Sequence, residues 1–118
     1  KWGVGGNYSY YNNGADDVVN YQKLKDDLLL QKNISEHSYQ KHVIIQNEFP
    51  EIGSQSDFLN YSRQIIDNPA SIKITPSGKT VYWGSDNQTI IIIDPKSQYG
   101  GTVFKPVEGI KYFNNNVD

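Results

Sequence analysis

Cysteine and methionine are both absent from the 118-residue sequence. Without cysteine the chain can build no disulfide framework, no thiolate metal site and no thiol nucleophile. The zinc deaminases are excluded on the same ground, because cysteines hold their metal. Two histidines, His37 and His42, are too few for a multi-histidine metal site. Long apolar runs are also missing: Leu28–Leu30 and Ile90–Ile93 fall far short of the roughly 20 residues a membrane helix needs, so no membrane insertion is expected. Charge of either sign is scarce, with a formal net charge of −2, which rules out a nucleic-acid binder working through bulk positive charge. That charge is unevenly spread. Ser71–Lys111 has more lysine than acid and His37–Ala70 the reverse, so one basic face is still available. Lys1 is followed by Gly- and Asn-rich sequence instead of the apolar stretch of a secretory signal. The start on Lys reads as a piece of a larger or processed chain.

Hydrophobic residues make up only 36% of the sequence, but 9 Tyr, 4 Phe and 2 Trp join the isoleucines to supply one modest core. The length suits one domain. Residues Lys1–Gly14 have no sustained period and read as loop or linker. The Gly3–Gly6 cluster lacks the preceding strand and following apolar helix of a dinucleotide loop. Ala15–Lys32 reads as a helix, with Val18, Tyr21, Leu24 and Leu28 as its apolar stripe and the pairs Asp16-Asp17 and Asp26-Asp27 on a solvated face. Ser35 opens a short helix over Glu36–Gln46 that holds both histidines and is broken by Pro50. Ser54, with Asp57 three residues on, caps a third helix whose buried stripe is Phe58, Tyr61, Ile65 and Ile66 and whose end is Asn68-Pro69.

Period two then takes over. Strands are expected at Ser71–Thr75, Thr80–Trp83, Thr89–Asp94 and Thr102–Phe104, with turns at Pro76–Lys79 and Gly84–Asn87. The apolar third strand belongs at the centre of the sheet. Tyr112-Phe113 is placed against that sheet. N-terminal helices packed on a small antiparallel meander make this an α+β fold. Residues 1–34 read as a linker or helical entry region and 35–118 as the functional domain, the two forming one compact unit.

A short list of residues could carry chemistry. Cleavage of RNA by its own 2′-hydroxyl needs a general base, a proton donor for the leaving oxygen, and cations or donors around phosphorus. One His, one or two Lys and hydroxyls from Thr or Tyr meet that need without a cofactor. The candidates are His42 with Lys41 beside it, and Lys79, Thr80, Tyr82, Trp83, Thr102 and Lys105 in the sheet half. No Gly-x-Ser-x-Gly elbow is present for a Ser–His–Asp hydrolase. Each candidate also has a structural reading. His42 lies among Ile and Val, Thr102 alternates with Phe104 along a strand, and Tyr82-Trp83 suits core packing.

Three stretches, His42–Pro50, Lys79–Trp83 and Gly100–Pro106, together with Tyr112-Phe113, carry a resemblance. The chain resembles the C-terminal toxin domains of bacterial polymorphic and contact-dependent growth inhibition systems. More narrowly, it is similar to members of the barnase–EndoU–colicin–RelE superfamily of ribonucleases, colicin D-like ones among them. The likeness spans about Ser35–Phe113, and its most specific part is Gly100-Gly101-Thr102-Val103-Phe104-Lys105-Pro106.

The resemblance implies an endoribonuclease that needs no metal or other cofactor, cuts RNA, tRNA above all, and leaves a 2′,3′-cyclic phosphate. It makes His42 the general acid or base, Thr102 a phosphate-orienting hydroxyl and Lys79 a cationic stabiliser, with Tyr82 following in the same strand. Lys41, Lys105, Trp83 and His37 become substrate-binding candidates, and His37 is also the rival catalytic histidine. Two departures stand out. Val43 occupies a position that is Gly in many relatives, and Lys79 replaces an Arg, losing the planar fork that grips phosphate bidentately.

Such toxins are secreted or displayed at the cell surface within a larger effector and act in the cytoplasm of a target cell. A monomer neutralised by a cognate immunity protein is therefore expected. The alternative from a different class is a non-catalytic protein-binding module with a Tyr-, Trp- and Asn-rich surface. An enzyme needs His42 reachable beside Thr102 and Lys79, whereas a binding module would bury or isolate it.

Overall fold

In a computed structural model of the chain, the period-two half forms a four-stranded antiparallel meander in the order β1-β2-β3-β4. The strands are β1 (Ser71–Ile74), β2 (Thr80–Gly84), β3 (Thr89–Ile93) and β4 (Gly101–Phe104). The structure describes the backbone of residues 14–118 and the side chains of residues 21, 24–33 and 37–118. Ahead of the sheet come α1 (Gly14–Asn33), a π-helix (Ile34–Ile45) and α2 (Gln55–Asp67), and α3 (Ile110–Asn115) follows it. The fold is α+β, with helices packed on a small sheet. Among the described residues no helix is long and apolar enough to cross a membrane. The expected loop or linker over residues 1–13 lies outside the described residues, as does the side chain of Val18.

Register fixes which side chains share a face. Pairing of Tyr82 with Ile91 and of Ile91 with Val103 puts these three on the helix-covered face, where they join Leu30, Phe49, Phe58 and Ile65. The next residues along, Val81, Trp83 and Ile90, turn to the opposite face and pack against Phe113 of α3 and Val117. Because helices or the C-terminal segment cover both faces, β2 and β3 are apolar almost throughout, with no clean alternation. The ring of Phe49 lies 5.0 Å from that of Phe58, tilted, and 5.4 Å from that of Tyr61, edge to face, so aromatic packing anchors α2. Ser54 caps α2 as expected, accepting the Asp57 N–H at 3.1 Å.

The α1 face departs from the sequence reading. Tyr21, Leu24 and Leu28 are exposed (63%, 39% and 57%), while Leu30, Asp26 and Asn33 are buried. Asp26 does not lie on a solvated face, because the Tyr82 hydroxyl donates to its Oδ2 at 2.6 Å. Asp27 receives Nε and Nη2 of Arg63 at 2.7 and 3.0 Å. Long-range polar partners, which no local period encodes, turn the helix so that these acids and Leu30 face inward. The predicted second helix forms, but its winding is wider: the Gln46 N–H bonds the Lys41 carbonyl, five residues back.

Candidate active site

β4 is an edge strand, and its outward-facing backbone groups would be left unpaired if nothing covered them. The helical segment covers them with side chains. Asn33 Nδ2 donates to the Gly101 carbonyl, Ser38 Oγ accepts from the Val103 N–H at 3.2 Å, and Glu48 Oε1 accepts from the Lys105 N–H at 3.0 Å. Ser38 Oγ also donates to Asn33 Oδ1 at 2.6 Å, and both residues are buried. These contacts fall at alternate positions, 101, 103 and 105, so three side chains stand in for a fifth strand. The same contacts fix the height of the π-helix along β4. Glycine at 101 lets β4 start against β3, since at φ +138° a Cβ would lie 1.8 Å from the Ile92 carbonyl oxygen.

His42 lies within this ladder of side chains. It is 6% exposed, and its ring stacks on Phe104 with centroids 5.6 Å apart. Asn47 adopts a left-handed conformation (φ +52°), which turns the chain back so that Glu48 Oε2 reaches His42 Nδ1 at 2.6 Å. An ionised carboxylate can only accept, so pairing with Glu48 in that form places a proton on Nδ1 and leaves Nε2 as the nitrogen a substrate can meet. Nε2 has no hydrogen-bond partner among the described residues, and no buried polar side-chain atom among them lacks one, so this nitrogen reaches solvent. A ring held by Glu48 on one side and Phe104 on its face, with its second nitrogen unpaired among the described residues, is placed to exchange a proton with a bound substrate.

His42 opens onto a cleft of about 460 Å³ that also holds His37, Lys41, Lys79 and Thr102. The winding of the π-helix explains why both histidines line it. In an α-helix, residues five apart diverge by about 140°; bonding between residues five apart draws them to one side. His37 stacks on Tyr99 with centroids 4.3 Å apart and planes 8° from parallel. Burial, then the charge of Lys41 and the proximity of His42, hold the His37 imidazole below its ordinary pKa. Thr102 sits across from Ile92, and Lys79 immediately precedes β2. A second cleft, of about 380 Å³, is lined by Gln64, Asn68, Ser85, Asp86 and Asn87 among others, with no lysine, arginine or histidine. The cationic chemistry belongs to the first.

Four of the predicted site residues lie elsewhere, among them Thr80, buried in β2 opposite Ile93. Tyr82 points to the helix-covered face, and burial, then its bond to the Asp26 carboxyl, pushes its hydroxyl pKa upward. Trp83 is 2% exposed beneath Phe113 and Val117, which leaves no face for a base. The Lys105 ammonium lies 4.9 Å from the Phe49 ring centroid and 3.8 Å from Glu51, outside the cleft lining. They were singled out by residue chemistry and the resemblance; alternation along β2 turns Tyr82 and Trp83 to covered faces, and Lys105 lies past the end of β4 over Phe49. Glu48 was missed as a partner of His42. The available signal was Asn47 directly before it, a residue type that tolerates the left-handed turn.

No family model matches the chain, and no curated protein matches it.

Proposed function

We propose that the chain is a toxin endoribonuclease that cleaves RNA through attack by the 2′-hydroxyl. The observation that carries this reading is the convergence of His42, Lys41, Lys79 and Thr102 on one cleft, with His42 oriented by Glu48. Under this reading Nε2 of His42 takes the 2′-hydroxyl proton. The freed oxygen attacks phosphorus, the bond to the 5′-oxygen breaks, and the products are a 2′,3′-cyclic phosphate and a 5′-hydroxyl. Lys41 and Lys79 balance the charge that builds on the phosphoryl oxygens, and the Thr102 hydroxyl orients them. The proton donors that the cleft offers the departing oxygen are the two ammonium groups. None of these steps calls on a group from outside the chain.

The near-neutral net charge of −2 favours one structured RNA over indiscriminate degradation, and the resemblance to toxin ribonucleases makes tRNA the first candidate. A cell that makes such an enzyme needs an immunity protein. The two lysines at the cleft favour an acidic partner that caps it. Release as part of a larger secreted or surface-displayed effector, with action in the target-cell cytoplasm, completes the proposal. The binding-module alternative would bury His42 or leave it isolated; the ring is 6% exposed, and it shares a cleft with Lys79 and Thr102, which supports the enzyme reading.

The test is to express the chain in a bacterium and to resolve total RNA on a denaturing gel, with end-group analysis of any fragments. Growth arrest with discrete tRNA fragments ending in 2′,3′-cyclic phosphate is the expected result. Intact RNA in cells that accumulate folded protein would overturn the proposal.

A further inference from the structure

One acid faces the cationic cleft. Asp94, at the start of the loop between β3 and β4, lines it together with Lys41, Lys79 and both histidines. Its Oδ1 accepts the Lys96 N–H at 3.0 Å, which bends the loop onto itself, yet among the described residues Asp94 pairs with none of these cations. A carboxylate in a phosphate-binding cleft repels the substrate backbone unless the substrate brings it hydrogen-bond donors.

Beside it stands the His37–Tyr99 ring pair, nearly parallel and half-buried on the cleft wall. The loop holds Tyr99 in place: its N–H donates to Ser97 Oγ at 3.2 Å, and the Asp94 N–H donates to the Gly100 carbonyl at 2.8 Å. Two stacked rings fixed at the mouth of a cleft form a platform that a third flat ring extends at little entropic cost.

We propose that Asp94 and the His37–Tyr99 pair form a nucleobase subsite selective for guanine. The proposal rests on the ribonuclease reading of the same cleft. The stack accepts any base, and the carboxylate supplies the selection. Guanine alone presents two adjacent donors, N1–H and the N2 amino group, on its Watson–Crick edge, matching an acceptor-only carboxylate. Adenine and cytosine set a ring acceptor beside their amino group, and uracil flanks its single N–H with two carbonyl oxygens. Each of these would turn a lone pair toward Asp94.

The experiment is calorimetric titration of the intact chain with the 3′-monophosphates of guanosine, inosine, adenosine and cytidine, with RNA cleavage measured in parallel. Guanosine 3′-monophosphate is expected to bind about ten-fold or more tightly than the adenosine and cytidine nucleotides, as a charge-assisted hydrogen bond warrants. Inosine, which lacks the N2 amino group, should fall between them. Asp94→Asn keeps the acceptor for the Lys96 N–H and should erase the guanine preference. Tyr99→Ala should weaken all four nucleotides by similar factors. Equal affinities in the unmodified chain, or a guanine preference that survives Asp94→Asn, would overturn the subsite. Cleavage of RNA with no guanine preference overturns the subsite alone, whereas absence of both cleavage and nucleotide binding overturns the ribonuclease reading as well.

Discussion

Two acid–ring pairs in this molecule have the same length and similarly buried rings but face different surroundings. Tyr82 Oη to Asp26 Oδ2 and His42 Nδ1 to Glu48 Oε2 are both 2.6 Å, with Tyr82 5% and His42 6% exposed. The Tyr82 pair joins α1 to the helix-covered face of the sheet, among Leu30, Ile91 and Val103. Burial keeps its hydroxyl protonated, so it is a fixed donor that clamps two elements together. The His42 pair sits at the rim of β4, where one ring nitrogen is satisfied and the other meets a cleft lined by two lysines. Similar geometry thus yields a structural clamp in one place and a candidate proton carrier in the other. What separates them is access to the far side of the ring.

Substitutions sharpen this contrast. His42→Ala should reduce RNA cleavage by about 100- to 10,000-fold, the span associated with loss of a general base, while the far-UV circular dichroism spectrum stays that of the native chain. Glu48→Gln keeps the side-chain volume but frees the ring to reorient. It should cost roughly ten- to a hundred-fold in cleavage rate, measured on the same RNA substrate as the unmodified chain.

Tyr82→Phe should leave cleavage unchanged and remove about 1.5–3 kcal/mol of stability in urea unfolding, the worth of a buried hydrogen bond to a carboxylate. A fall in cleavage with stability intact would break the comparison, because it would move Tyr82 into the site.

The smallest effect is expected at Asp27→Asn. The hydrogen bonds from Arg63 hold the Asp27 carboxyl below its ordinary pKa, but both side chains are about a third exposed, so the pair is worth only about 0.2–1 kcal/mol. A depressed carboxylate pKa stabilises the fold above the unfolded value, and that contribution is lost as pH falls through the folded value. The stability gap between the unmodified chain and Asp27→Asn should therefore be present at neutral pH and close in acid.

The sheet and α2 were legible because their signals are local. Pro76-Ser77-Gly78-Lys79 marks the first hairpin, Ser54 caps α2, and the run Ile90–Ile93 announces an inner strand. Strand ends matched the expectation to within a residue. The face of α1 was not legible, since Leu28-Leu29-Leu30 offers an apolar residue to every direction and the choice is made by Tyr82, Arg63 and Gly101 far along the chain. His42, Lys41, Lys79, Thr102 and His37, singled out through residue chemistry and the resemblance, line one cleft. Tyr82 and Trp83 do not, because strand alternation turns one to each face and both faces are covered. Glu48 had only the weak local signal of Asn47 before it, because its role depends on a turn after a π-helix, a winding that no α-helical period announces.

The central claim is that the chemistry resides on the His42 side of the sheet and the clamp on the Tyr82 side. The most direct test assays His42→Ala and Tyr82→Phe together for cleavage of total bacterial RNA and for the midpoint of urea unfolding. The account predicts a folded, inactive His42→Ala chain and an active Tyr82→Phe chain with a lowered midpoint. An active His42→Ala chain, or an inactive Tyr82→Phe chain of unchanged stability, would contradict it.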